Sequence, residues 1–215
     1  MLLSRTSFLE LLADKDYINF GNISLDWASI TNECEECVTQ HPDYWASLVT
    51  NNYDAWDKAG VTYWESMQQY ADWGYTHNNT RSWETTSIKP RLVMAWEQEL
   101  DSYVPLDHLI SRPTLQTPGN IMPWHQDKFY FWKREHTDNE FVIRFLVFHE
   151  DWKLGHMLQA GNSILSHWKA GDIICWHPDR WHLSVNAGSL NKWTTNITGL
   201  LKKEFLVNET IFSSM

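Results

Sequence analysis

No stretch of this chain approaches the roughly 18 uninterrupted apolar residues that a membrane-spanning helix requires. The opening segment, MLLSRTSFLELLADKD, is briefly apolar, but Glu10 interrupts it and no small-residue cleavage site follows. It reads as an amphipathic helix and not as a signal peptide, so a cytoplasmic protein is the expectation. Basic runs are missing too. The net charge is −10, which disfavours nucleic acid held on a broad basic face and disfavours an anionic membrane surface. Cysteine is scarce, with only Cys34, Cys37 and Cys175. The CEEC stretch lacks the second pair that a four-ligand zinc site needs, and the flanking Glu33, Glu35 and Glu36 disfavour a thiolate. These are read as ordinary thiols. Internal repeats, low-complexity tracts and Gly/Ser/Pro linkers are all absent, so the 215 residues are expected to fold as one structural unit.

What the chain does have is tryptophan, fourteen of them scattered along its length. They are expected to form core or groove-lining surface. The texture changes near residue 88. Residues 1–87 are rich in acidic, aromatic and Asn residues with helix-like apolar spacing, as at Leu9, Leu11 and Leu12, at Tyr44, Trp45, Leu48 and Val49, and along Asp54–Tyr75. This predicts a helical region packed on a core formed by residues 88–215. In the core, short β-branched and aromatic runs alternate with turn residues. The predicted strands are Arg91–Gln98, Leu109–Gln116, Phe129–Arg134, Phe141–His149, Gly155–Ala160, Asn162–Trp168, Asp172–His177, Trp181–Ala187 and Lys192–Leu201. TPGN, AGN, KAGD, HPD and NAGS separate them. With no crossover helices between strands, a parallel sheet is excluded and an antiparallel sandwich or jelly roll is expected.

PWHQD (Pro123–Asp127) places His125 and Asp127 two apart, just after the turn-like TPGN. On an extended stretch, residues two apart point to one face and can converge on one ion. Two histidines and one carboxylate on one face of an octahedron, with three positions open, is the donor set of a non-haem Fe(II) oxygenase. The third ligand must come from a distant strand, and His177 and His182 compete for the role. Ten residues beyond His182 comes Lys192, which shares a strand face with Thr194 and Asn196. A cation and a hydroxyl there can clasp the distal carboxylate of a dicarboxylic cosubstrate, a combination that prefers His182.

The run HQD at 125–127, then His182, then KWT at 192–194, with AGDIICW before the distal histidine, resembles the Fe(II)/2-oxoglutarate-dependent dioxygenases. RFLVF (Arg144–Phe148) and the residues after it look most like the aspartyl/asparaginyl β-hydroxylase-like branch. The similarity runs from about Arg91 to Leu201. It implies a mainly β, double-stranded β-helix (jelly-roll, cupin-like) core with an N-terminal helical flank. It also implies iron held by His125, Asp127 and His182, with 2-oxoglutarate and O2 as cosubstrates. The expected activity is hydroxylation of an unactivated C–H bond with release of succinate and CO2. Arg144 is carried over as a cosubstrate ligand. In most of the family the basic residue on the last strand is an arginine, and here it is Lys192, a point charge where arginine offers a bidentate fork. Either Lys192 or Arg144 could take the distal carboxylate.

The substrate is not written in the residues. A peptide or protein side chain, an amino-acid derivative or another small molecule suits an aromatic-lined entrance, and Tyr130, Phe131 and Asn186 are candidate contacts. Asn186 in VNAG is equally ordinary turn chemistry. Trp124 and Trp181 each precede a proposed ligand, so their rings are expected to pack behind the sheet. His149 and His156 form a weaker candidate ion site. A cupin-like metal enzyme without 2-oxoglutarate, or a ligand-binding jelly roll without metal, are the alternatives.

Overall fold

The computed structural model describes residues 1–47, 68–85, 91–129, 132 and 141–207. From residue 106 onward, successive strands pass back and forth between two facing antiparallel sheets. β5 (Leu106–Gln116), β7 (Val142–Phe148), β10 (Asp172–Cys175) and β12 (Lys192–Leu201) lie in the larger sheet. β6 (Ile121–His125), β8 (His156–Ala160), β9 (Ser163–Leu165) and β11 (His182–Asn186) form the smaller one, ordered β6-β11-β8-β9. This alternation is the winding of a double-stranded β-helix. The larger sheet is extended at both edges by strands from the N-terminal region. β2 (Ile18–Asn22) pairs with β10 on one side, and β4 (Arg81–Glu84) followed by β3 (Trp45–Ser47) continues from β5 on the other. A separate ribbon joins β1 (Leu2–Ser4) to β13 (Glu204–Leu206).

Register explains why the larger sheet serves two purposes. Trp193, Leu115 and Trp83 are directly paired across three strands, as are Ile197 and Phe145. They face outward into the main core, with Phe8 and Leu12 of α1 (Arg5–Asp14) and Trp27, Ile30, Cys34 and Cys37 of α2 (Trp27–Gln40). Burial of side chains as complete as Phe8 and Leu12 contributes roughly 1.5–3 kcal/mol each. Both helices start on side-chain caps: Ser4 accepts from the Ser7 N–H and Asp26 from the Ser29 N–H. The opposite face of the sheet alternates to Phe148–Thr194–Thr114–Glu84 and Leu146–Asn196–Arg112. That inward face is apolar toward β7 and β10, where Leu146, Phe148 and Ile174 pack with Leu158, Trp168 and Trp176. Toward β5 and β4 it is polar.

Several predicted elements differ. Arg91–Gln98 is not a strand; Ala95–Ser102 is a 3-10 helix. Glu97 explains this, because its buried carboxylate accepts from the Met94 N–H at 2.7 Å, from Arg91 Nη2 at 3.0 Å and from the Ser111 hydroxyl. A local cap outcompetes the ladder that the apolar run suggested. Trp45 belongs to β3 instead of a helix, because β4 offers it an open sheet edge, so the N-terminal flank carries strands as well as helices. Of Asp54–Tyr75, residues 68–72 are helical and most of the rest lies outside the described residues. So does most of Phe129–Arg134. No helix among the described residues is long and apolar enough to cross a membrane.

Candidate metal centre

The turn between β5 and β6 carries the chain from the large sheet to the small one. Asn120 donates its N–H to Thr117 O at 3.1 Å, Pro118 occupies the second position, and Gly119 takes φ +84°. That conformation suits glycine at the third position of a type II turn. β6 then runs antiparallel to β11, and His125 at its end is the register partner of His182. Asp127 follows, its N–H donating to Pro178 O at 3.1 Å, which ties the segment after β6 to the turn before β11. The ligand atoms of His125, Asp127 and His182 consequently lie within 4.8 Å of one another. His182 Nε2 is 3.7 Å from Asp127 Oδ2, and the two imidazoles are 4.2 Å apart.

Each histidine is oriented by its other nitrogen. His125 Nδ1 bonds Pro123 O at 2.7 Å, and His182 Nδ1 bonds Arg180 O at 2.9 Å. A carbonyl only accepts, so Nδ1 carries the proton in both rings and Nε2 is left with its lone pair. Burial pushes His125 down to about 3 and also lowers His182, so both are neutral at pH 7. Burial acts to raise Asp127, yet the Arg144 guanidinium and the two imidazoles hold it below the ordinary carboxylate range. Arg144 donates Nη1–H to Asp127 Oδ1 and Nε–H to Thr198 Oγ1 at 3.2 Å, with its guanidinium over the Phe129 ring. Asp127 Oδ2 is buried and has no hydrogen-bond partner among the described residues. Two bare imidazole nitrogens and one bare carboxylate oxygen facing one point suit a divalent first-row metal, and the orphaned Oδ2 is satisfied by one.

The triad lines a cavity of about 300 Å3 between the sheets. Apolar walls come from Leu146, Leu158 and Trp176, and polar walls from Thr194, Gln116 and Ser184. Behind Ser184 lies Lys192, 2% exposed. Its ammonium donates to Ser184 Oγ at 2.7 Å, Met157 O at 2.7 Å and Val185 O at 3.2 Å. No carboxylate among the described residues pairs with it, and burial pushes it down to about 7. Thr194 lines the cavity and Lys192 does not; Lys192 stands one hydroxyl away.

The other expected residues are placed as follows. His177 is outside the cluster, in the Pro178 turn, where its Nδ1 accepts from the Asp179 N–H at 3.3 Å. Asn186 is fully buried but off the cavity wall. Its amide donates to Gln116 O at 2.8 Å and Leu190 O at 2.9 Å while its oxygen receives the Gly188 N–H. These bonds tie the end of β11 to the end of β5 and to the following turn. His149 is buried among Trp27, Trp96 and Trp193 on the outer face and bonds Thr195, whereas His156 bonds Leu190 O. Among the described residues they do not belong to a cluster of metal-ligating groups. Trp181 is 43% exposed, so its ring does not pack behind the sheet. Tyr130 and Phe131 lie outside the described residues. Arg112 and Glu84, an ion pair at 3.2 Å on the cavity wall, were not anticipated; the period-two spacing of Arg112, Thr114 and Gln116 in SRPTLQ was the available signal.

No family model matches the sequence, and no curated protein matches it. Among solved structures, a Pseudomonas putida prolyl-4-hydroxylase is 14% identical, aligned over 90% of this chain and 93% of its own, with a TM-score of 0.46. A non-heme monooxygenase in a nickel complex is 16% identical over 92% and 78%, TM-score 0.47. A non-heme alpha-ketoglutarate-dependent epimerase from nogalamycin biosynthesis is 11% identical over 90% and 83%, TM-score 0.47.

Proposed function

We propose that this protein is an Fe(II)- and 2-oxoglutarate-dependent oxygenase that hydroxylates an unactivated C–H bond. The observation that carries the reading is the convergence of the ligand atoms of His125, His182 and Asp127 on the wall of a cavity inside a double-stranded β-helix. These three residues would hold the ion, and a three-ligand protein set would leave positions for cosubstrate and oxygen. When bound, the iron supplies the oxidising chemistry that couples decarboxylation of the 2-oxo acid to succinate and CO2 with hydroxylation of the substrate.

The chain's own residues hold and orient. Pro123 O and Arg180 O fix the two imidazole tautomers, and Arg144 holds Asp127 so that one oxygen remains for the metal. With Arg144 committed to Asp127 and the Ser184 hydroxyl donating to Gln116 Oε1 at 2.6 Å, the distal carboxylate of the 2-oxo acid falls to Thr194, with the charge of Lys192 behind Ser184. An anion there gives the buried ammonium the counter-charge that it lacks. Leu146, Leu158 and Trp176 give the cavity its apolar wall. Arg144 sits on the strand that carries the likeness to the aspartyl/asparaginyl β-hydroxylase-like branch, and an amino-acid-like group or peptide side chain is the substrate proposed.

One observation favours a second reading, a cupin-like metal enzyme that uses no 2-oxo acid: all three donors of Lys192 are already taken within the protein. The two readings separate when protein, Fe(II) and 2-oxoglutarate are mixed under argon and then exposed to air. Visible charge-transfer absorption followed by succinate supports the first. Metal binding with neither signal supports the second.

A further inference from the structure

The turn before β11, residues 177–181, presents three successive carbonyls to the segments that carry the metal ligands. Pro178 O accepts the Asp127 N–H at 3.1 Å, Asp179 O accepts from the Gln126 side-chain amide at 2.5 Å, and Arg180 O accepts the His182 Nδ1–H at 2.9 Å. The first two fix where the chain after β6 delivers Asp127, and the third fixes the tautomer and ring plane of His182. A shift of this turn displaces two of the three ligands together. Asp179 and Trp181 are exposed, so packing holds only part of it. Beyond the bonds from Arg180 N–H to His177 O at 2.7 Å and from Gly161 N–H to Trp181 O at 2.8 Å, its anchor is the Arg180 side chain. Nη2 donates to Ala13 O at 2.8 Å and to Lys15 O at 3.0 Å at the end of α1, and Nη1 lies 3.6 Å from Asp16 Oδ1. Asp16 Oδ2 accepts the Asn162 N–H at 3.0 Å and the Ser163 hydroxyl at 2.8 Å, which brings the β8–β9 turn to the same junction. The junction is tight: a Cβ on Gly161 would meet Asp16 Oδ1 at 1.9 Å. α1 is itself fixed in the main core by Phe8 and Leu12, both fully buried.

A helix cap is the simplest use of such a guanidinium. Ala13 O is among the last carbonyls of α1, which has no basic residue in its last turn, and a cation there is favourable on its own account. A cap, however, can come from any side chain that reaches the helix end. Here it comes from the one residue whose own carbonyl orients His182, so the contact that caps α1 also holds a metal ligand. We propose that Arg180 is a positioning residue for the metal centre, through which α1 and the turn before β11 hold His182 and Asp127 in ligating geometry. The proposal rests on the metal reading of the triad. Its consequence is reciprocal: if the seating of α1 favours metal binding, metal binding favours the seating of α1 by the same factor.

The test is a Co(II) titration of the full chain, followed by the visible absorption that reports the ion's coordination, together with hydrogen exchange with and without Co(II). Arg180→Met, which keeps the stem and removes every donor, is expected to weaken Co(II) tenfold or more and to alter the absorption of the loaded protein. Arg180→Lys, which keeps the charge but not the fork, is expected to lose less. Ser4→Ala removes the cap at the other end of α1; it is expected to lower the urea midpoint and leave Co(II) affinity within twofold. In the unaltered protein, Co(II) is expected to slow exchange in the last turn of α1 more than in α2, an excess that vanishes in Arg180→Met. If Arg180→Met does not fold, the comparison of α1 with α2 in the unaltered protein decides alone. Unchanged affinity in Arg180→Met, equal weakening in Ser4→Ala, or equal protection of α1 and α2 overturns the proposal and leaves the metal centre standing. Absence of Co(II) binding by the unaltered protein overturns both.

Discussion

Lys192 is the residue on which the cosubstrate assignment turns. Its ammonium is buried with no carboxylate partner among the described residues, and burial pushes it down to about 7 from an ordinary 10.5. Between those two pH values the unfolded chain holds a proton that the folded chain has released, so stability rises with pH across that window, by up to about 1.4 kcal/mol per pH unit. Lys192→Met, which keeps the volume and removes the charge, is expected to abolish this rise in urea midpoints measured from pH 7 to 10. The same substitution should weaken 2-oxoglutarate about tenfold, because it removes the charge behind Ser184 that attracts the distal carboxylate, and leave metal affinity unchanged. Metal affinity falling in parallel contradicts the separation of roles. At this scale, much of the site was legible in the sequence. His125 and Asp127 face one way because strands alternate, and the tenth residue past His182 marks Lys192. The Glu84–Arg112 pair was not legible, because Glu84 meets Arg112 only through the register between β4 and β5.

At the scale of elements, the strands of the barrel were readable because β-branched and aromatic runs there are bounded by glycine and proline turns. The misreadings came where a local side-chain cap or an available sheet edge decided the outcome. Glu97 turns an apolar run into a 3-10 helix, and β4 recruits Trp45 into a strand. β6 was not among the expected strands, because Pro123 interrupts it, yet it carries His125, one of the three proposed metal ligands. The turn that holds β8 against β11 offers a direct check. Gly155 has φ +89°, and a Cβ there would meet the backbone of Gly188. Backbone cannot give way as a flexible side chain can, so Gly155→Ala combines a left-handed strain with a steric clash. A loss of 2 kcal/mol or more is expected in chemical denaturation, together with weakened metal binding, because β11 positions His182. A loss below about 0.5 kcal/mol contradicts the packing described.

Across the whole molecule, the large sheet separates two environments, the main tryptophan-containing core outside and a cavity of mixed apolar and polar lining inside. The scattered tryptophans announced the first but not its location, since only the register shows Trp83 and Trp193 back to back with the cavity. This division buries neutral histidines on both faces, His125 inside and His149 outside, each pushed by burial down to about 3. Their contribution to stability is complete above the ordinary 6.5 and is lost as pH falls toward 3, because the unfolded chain then binds protons that the fold excludes. In metal-free protein, urea midpoints are expected to fall steadily below pH 6.5, and added metal should steepen the difference between pH 7.5 and 5 by holding the neutral imidazoles. A flat profile contradicts this. The most direct measurement of the central claim is an anaerobic Fe(II) titration with 2-oxoglutarate present, followed by visible absorption, on the unaltered protein, His182→Ala and His177→Ala. The account expects one iron per chain and a charge-transfer band in the unaltered protein and in His177→Ala, with both lost in His182→Ala. Band and stoichiometry surviving in His182→Ala, or absent from the unaltered protein, would contradict it.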